Sequence, residues 1–148
     1  MERALAVVDA DESTKALVQE AGELAGAVGA ELVLLHVTSR GEYEEKRQTM
    51  ESIPNNPVGY SAEKAREGAE DFAADIGREV LEGIDVPYEA VGAVGDEQTQ
   101  ILETAEAHDC DHLFIAGEKR SPTGKALFGD LTQSIILNFD GPVTVVTE

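Results

Sequence analysis

The sequence contains a single cysteine, Cys110, so no disulfide can close within the chain. Tryptophan is absent and only 5% of residues are aromatic, which leaves valine, leucine, isoleucine and alanine to build a core. Basic residues are scarce: 11 lysines and arginines stand against 30 aspartates and glutamates, for a net charge of −19. A surface this acidic repels the phosphates of nucleic acids and of anionic membranes and argues against both as partners. No apolar run approaches the ~18 residues of a membrane-spanning helix, and the first residues lack the pattern of a signal peptide. A cytoplasmic location is therefore the expectation. A G-x-G-x-x-G dinucleotide fingerprint is absent throughout.

What is present is a chain of 148 residues with 42% hydrophobic content, read as one domain over residues 1–148. A disordered acidic chain would carry a similar charge, but regular apolar runs argue for a folded domain with a solvated, mutually repelling shell. The acids are spread along the whole chain. Such a composition resembles that of proteins from salt-loving organisms, where counterions screen the repulsion.

The apolar pattern alternates between two periods. Residues 3–8 (RALAVV) and 31–37 (ELVLLHV) are short runs, apolar on both faces as parallel strands are. Between them, Leu17, Ala21, Leu24, Ala25 and Val28 recur at helical spacing and Gly29 closes the helix. Residues 38–60 read as a loop with a short helix near 43–50. Residues 61–81 give a long amphipathic helix through Ala65, Ala69, Phe72, Ala73, Ile76 and Val80. Residues 86–91 follow as a strand, at an edge because of Pro87; 92–96 read as a turn, 97–108 as a helix, 111–116 as a strand, 127–138 as a helix and 142–146 as the last strand. Strict alternation predicts an α/β fold: a single Rossmann-like or flavodoxin-like doubly wound sheet of five parallel strands, order 3-2-1-4-5, with helices on both faces. Strand order then reverses between the first and fourth strands, where such sheets bind ligands beyond their carboxyl ends. The segments arriving there are residues 8–13 and 117–130.

The second segment, G-E-K-R-S-P-T-G-K-A-L-F-G-D, ends its first part in G-K like a Walker A loop. Six residues separate Gly117 from Gly124, and Ala126 stands where the metal-binding hydroxyl should be, so it is not that loop. Its bland reading is a Pro-Thr-Gly turn with solvated basic residues.

Several stretches together carry a resemblance. A-V-V-D at residues 6–9, L-L-H-V at 34–37, V-G-A-V-G-D-E at 91–97 with Ile101, A-G-E-K-R at 116–120, G-D-L-T-Q-S at 129–134 and G-P-V-T-V-V at 141–146 resemble the universal stress protein family over essentially the full length. The resemblance implies a stress-response homodimer that binds or senses adenine nucleotide, ATP or AMP with Mg²⁺, and pairs through its last strand, Val143–Val146. It puts the adenine against Val7, Val8, Asp9 and Val37, and the ribose and phosphates along Ala116, Gly117, Gly129, Asp130, Leu131 and Thr132. Members that bind ATP carry G-x2-G-x9-G-[ST]. Here Arg120 replaces the second glycine, the spacer to Gly129 is eight residues, and Asp130 replaces the hydroxyl. Lys119, Arg120 and Lys125 bring positive charge that could compensate through charge-assisted contacts.

Other candidates are plainer. His36 ends a buried strand and reads as a core histidine. His108 and His112 with Asp109, Cys110 and Asp111 straddle a helix-to-strand turn where side chains diverge, against a metal cluster. Asp9, Asp11 and Asp130 could share Mg²⁺ at a nucleotide site. Two further functions stay open beside nucleotide sensing: a protein-interaction module that keeps the fold and has lost nucleotide, and a slow ATP hydrolase, for which no evident base is supplied.

Overall fold

A computed structural model describes residues 1–52, 60–117 and 129–147. Five strands form one sheet: β1 (Arg3–Val7), β2 (Glu31–Thr38), β3 (Tyr88–Val94), β4 (His112–Ala116) and β5 (Val143–Val146). Their order is β3-β2-β1-β4-β5 and every pairing is parallel, which is the expected doubly wound topology. The helices are α1 (Ser13–Val28), α2 (Arg40–Glu51), α3 (Ala62–Val80), α4 (Glu97–Ala107) and α5 (Asp130–Asn138). Among the described residues no helix is long and apolar enough to cross a membrane.

Successive residues of a strand point to opposite faces, so the continuous apolar strands feed two cores. Ala4, Ala6, Val8, Leu32, Leu34 and Phe114 pack under α1 and α3. Leu5, Val7, Val33, Leu35, Leu113 and Ile115 pack with Ile101 of α4 and Ile135 of α5. Gly29 closes α1 in the left-handed region at φ 74°, its N–H reaching back to the last turn, as a helix-ending glycine should.

Two boundaries differ from the sequence reading. The third strand starts at Tyr88 and continues through Gly92, Ala93 and Val94, which the sequence presents as a turn. Its pairing with β2 runs out to Thr38↔Val94. Gly92 is a point of contact, not a turn: a Cβ there would lie 2.1 Å from the Arg66 carbonyl oxygen and 2.4 Å from the Glu70 nitrogen. The small-residue stripe of α3 (Ala65, Ala69, Ala73, Gly77) lets that helix close onto the sheet, and glycine in the strand completes the fit. The helix expected at 43–50 spans Arg40–Glu51, capped by Ser39, whose hydroxyl accepts the Glu42 N–H at 3.2 Å. It buries no side chain, so it lacks the apolar periodicity that would have announced its length. The last helix begins at Asp130, with the residues just before Gly129 outside the described ones.

Candidate functional site

At the carboxyl end of the sheet, β1 runs into residues 8–13 while β4 ends at Ala116, and the two diverge toward opposite faces. A cleft of about 740 Å³ opens between them, a volume typical of small-molecule sites. Val7, Ile115 and Leu131 give it an apolar floor; Asp9, Asp11, Glu12 and Ser13 form one wall and Ala116, Gly117, Gly129, Asp130 and Thr132 the other. A second cleft of about 510 Å³ lies beyond β2 and β3, lined by Ser39, Arg40, Gly95, Asp96, Glu97 and Gln98. The two meet at Asp130 and Leu131, which belong to both.

The backbone around the first cleft is fixed by its own bonds. Thr14, buried in the first turn of α1, accepts the Asp9 N–H at 2.7 Å on Oγ1. The Ser13 hydroxyl donates to the Asp11 carboxylate. Gly117 donates its N–H to the Val146 carbonyl at 2.9 Å, and the Thr132 hydroxyl donates to the Ala116 carbonyl at 3.2 Å. These last two tie the end of β4 to β5 and to α5, so the Gly117 amide and the Thr132 hydroxyl proton are already spent within the protein. The N–H groups left at the start of α5 belong to Asp130, Leu131 and Thr132, the first turn of a helix, where intrahelical acceptors are lacking.

Of the residues that the sequence assigns to a nucleotide, Val7, Asp9, Ala116, Gly117, Gly129, Asp130, Leu131 and Thr132 come together around the first cleft. Val8 and Val37 do not line it. The Val8 side chain is fully buried under α1, its N–H donates to Leu35 and its carbonyl accepts His36 Nδ1–H at 2.6 Å. Val37 is buried with Ala93 and Ile101 in the opposite core. Lys119, Arg120 and Lys125 lie outside the described residues. Asp11, which the sequence offers as a partner for Mg²⁺, lines the cleft too, together with Glu12, Ser13 and Ile115, which were not singled out for ligand contact. Ile115 was readable by strand alternation from Leu113, and Glu12 and Ser13 by the position of the α1 N-terminus beside β1.

The electrostatics are those of crowded acids. Burial pushes the Asp9 carboxyl above its ordinary range, and the neighbouring Asp11 charge pushes it further. Glu97 is raised in the same way, by burial and then by Asp9. The same pair is partly relieved by His36, whose ring packs at 4.6 Å on Phe72. Asp96 behaves oppositely: its carboxylate caps α4, accepting the Thr99 N–H at 3.1 Å, and is lowered by that bond.

Among the described residues, no group of three His, Cys, Asp or Glu side chains is arranged to hold a metal ion. Asp9, Asp11 and Asp130 thus share a cleft without forming a cation cage. The histidines near Cys110 point to separate partners, His108 to Glu89 at 3.0 Å and His112 to Thr144 at 2.7 Å.

Fold and cleft define the class: a doubly wound α/β protein with a cleft at the switch point of the sheet. The chain belongs to the universal stress protein family, whose family model matches residues 1–147. Solved structures with the same fold include the universal stress protein UspA from Lactobacillus plantarum, at 18% identity and TM-score 0.69, covering 98% of this chain and 97% of that one. A universal stress protein in complex with cAMP matches at 18% identity and TM-score 0.65, over 99% of this chain and 96% of its own. The universal stress protein from Archaeoglobus fulgidus in complex with dAMP matches at 16% and 0.60, over 98% and 96%. A search of curated protein sequences gives no match.

Proposed function

We propose that this protein binds an adenine nucleotide in the switch-point cleft and works as a stress-response sensor of that nucleotide. The observation that carries this reading is the convergence of Val7, Asp9, Ala116, Gly117 and Gly129–Thr132 on one cleft of about 740 Å³. The apolar floor suits a base, the Asp9 carboxylate can accept from an amine or a ribose hydroxyl, and the first-turn amides of α5 can meet a phosphate. Structural relatives in complex with cAMP and dAMP support the ligand class. ATP or AMP are the ligands to test, each with and without Mg²⁺. Lys119, Arg120 and Lys125, from the segment between Gly117 and Gly129, would add cationic contacts. Arg120→Glu should weaken binding more than about ten-fold if they do.

The protein acts as a homodimer in this reading, joined through β5. Among the described residues that strand pairs only with β4 and forms an edge of the sheet, which an isologous copy would cover. A mass measurement by light scattering checks this.

Calorimetric titration with AMP and ATP is the direct experiment. Saturable binding below the millimolar range is the expected result, and release of an adenine chromophore on heat denaturation would corroborate it. Failure of both would favour the second reading, a protein-interaction module that keeps the fold. One observation speaks for that alternative: Asp130 places a carboxylate at the start of α5, where a phosphate would otherwise meet the helix.

A further inference from the structure

Among the described residues, the charged side chains that line the two clefts are mostly acidic. Asp9, Asp11, Glu12 and Asp130 line the first, and Asp96, Glu97 and again Asp130 line the second. Arg40 is the one cationic side chain among the described residues that line either. Asp130 occupies the first helical position of α5, after Gly129 at the N-cap. Its carboxylate therefore sits at the positive end of the helix dipole and competes for it with any incoming anion. The Gly117 amide, a natural phosphate donor by position, is held by Val146. The apolar floor of Val7, Ile115 and Leu131 is independent of ligand charge. The described walls thus offer good contacts to an uncharged nucleoside body and, for a long phosphate tail, the first-turn amides of α5 beside a carboxylate.

We infer that the cleft selects its adenine ligand by charge, taking a nucleoside or nucleoside monophosphate in preference to a metal-free triphosphate, with Asp130 as the residue that sets the selection. This inference rests on the nucleotide reading above. The crowding of the acids supports it: burial and then the Asp11 charge raise Asp9, and burial and then the Asp9 charge raise Glu97, as expected where carboxylates gather in a partly buried place. Each phosphate charge added nearby meets the same repulsion, which salt weakens.

The test is a calorimetric comparison of adenosine, AMP and ATP, in EDTA and about 0.1 M KCl, with the wild-type chain and Asp130→Asn. ATP is expected to bind the wild type about tenfold or more weaker than AMP. In Asp130→Asn the ratio of the ATP to the adenosine dissociation constant is expected to fall at least about threefold, because one opposing charge is gone. A salt series on the wild type needs no substitution: the gap between AMP and ATP should close as KCl rises toward about 2 M, where the screening length drops to a few ångströms. Metal-free ATP binding the wild type as tightly as AMP would overturn the inference, as would a gap that Asp130→Asn leaves unchanged or one that salt does not reduce. Failure of all three compounds to bind would overturn the nucleotide reading itself and this inference with it, an outcome distinct from binding without discrimination.

Discussion

The two ends of the sheet treat carboxylates in opposite ways. At the amino end, acids are paired. Asp111 accepts the backbone N–H groups of Glu2 at 2.9 Å and Arg3 at 3.4 Å, and is lowered by them. Arg3 bonds Glu31 through Nε at 3.0 Å and donates to the His108 carbonyl at 2.8 Å, while His108 meets Glu89. At the carboxyl end, Asp9 and Glu97 are partly buried near each other and raised, and no hydrogen bond reaches either carboxylate among the described residues. Asp96, relieved by capping α4, is the exception at the carboxyl end; Asp9 and Glu97 stay crowded there. Carboxyl groups shifted by burial and by like charge are a common mark of binding sites, and Asp9 and Glu97 line the two clefts at the carboxyl end.

The largest perturbation should ignore this division. Gly92 lies in β3, the strand that carries Glu89 at one end and leads to Asp96 at the other. Gly92→Ala drives a methyl into the α3 backbone at Arg66 and Glu70, which cannot yield as a side chain would. It should cost about 3 kcal/mol, measured by urea denaturation, and damage both ends together. A loss below ~1 kcal/mol would show that α3 can lift from the sheet at little cost.

Asp111→Ala tests the paired end. It removes the acceptor of two backbone N–H groups and should cost about 1 kcal/mol, a modest figure because the site is exposed. The pH sign is definite. A lowered carboxyl pKa contributes stability above its unfolded value and loses it as pH falls through the folded value. The difference between wild type and variant should therefore shrink in acid.

Asp9→Asn tests the crowded end and should act in the opposite sense. A raised pKa means that the charged form is penalised in the fold; the penalty is present above the folded pKa and relieved as pH falls through it. The variant should gain about 0.5–1 kcal/mol at neutral pH, and the gain should vanish in acid. Denaturation midpoints for Asp9→Asn and Asp111→Ala across pH check both, and matching pH trends in the two would erase the contrast between the ends.

The smallest effect belongs to His112, at the amino end of β4. Burial lowers its pKa, and its ring bonds Thr144 of β5 at 2.7 Å. Its contribution holds above the ordinary histidine pKa and is lost as pH falls through the lowered one. His112→Gln should flatten that dependence by about 0.5 kcal/mol, read as amide exchange along β5.

Much of this fold was legible because it rests on local periodicity. Alternating apolar runs gave five strands, and the right-handed crossover rule gave their order, hence the switch point and the segments that meet there. The lining of the candidate cleft was legible where position along a strand or at a helix start decides it, as for Val7, Ala116, Gly129 and Asp130. It was not legible where packing decides. Val7 and Val37 are equally apolar and belong to the same core, yet Val7 reaches the cleft while Val37 is buried with Ala93 and Ile101. The glycine of V-G-A-V reads as a turn and is a seat for α3.

By itself, then, the sequence determined an alternating α/β chain, the end of the sheet at which a ligand would sit, and an excess of acid spread along its length, because periodicity and composition are properties of the chain. Which acids are relieved and which are crowded was decided only by the tertiary structure. Asp9 and Glu97 are 88 positions apart in sequence and Asp111 lies far from Glu2, and their charges interact through distances that exist only once the sheet has brought their strands side by side.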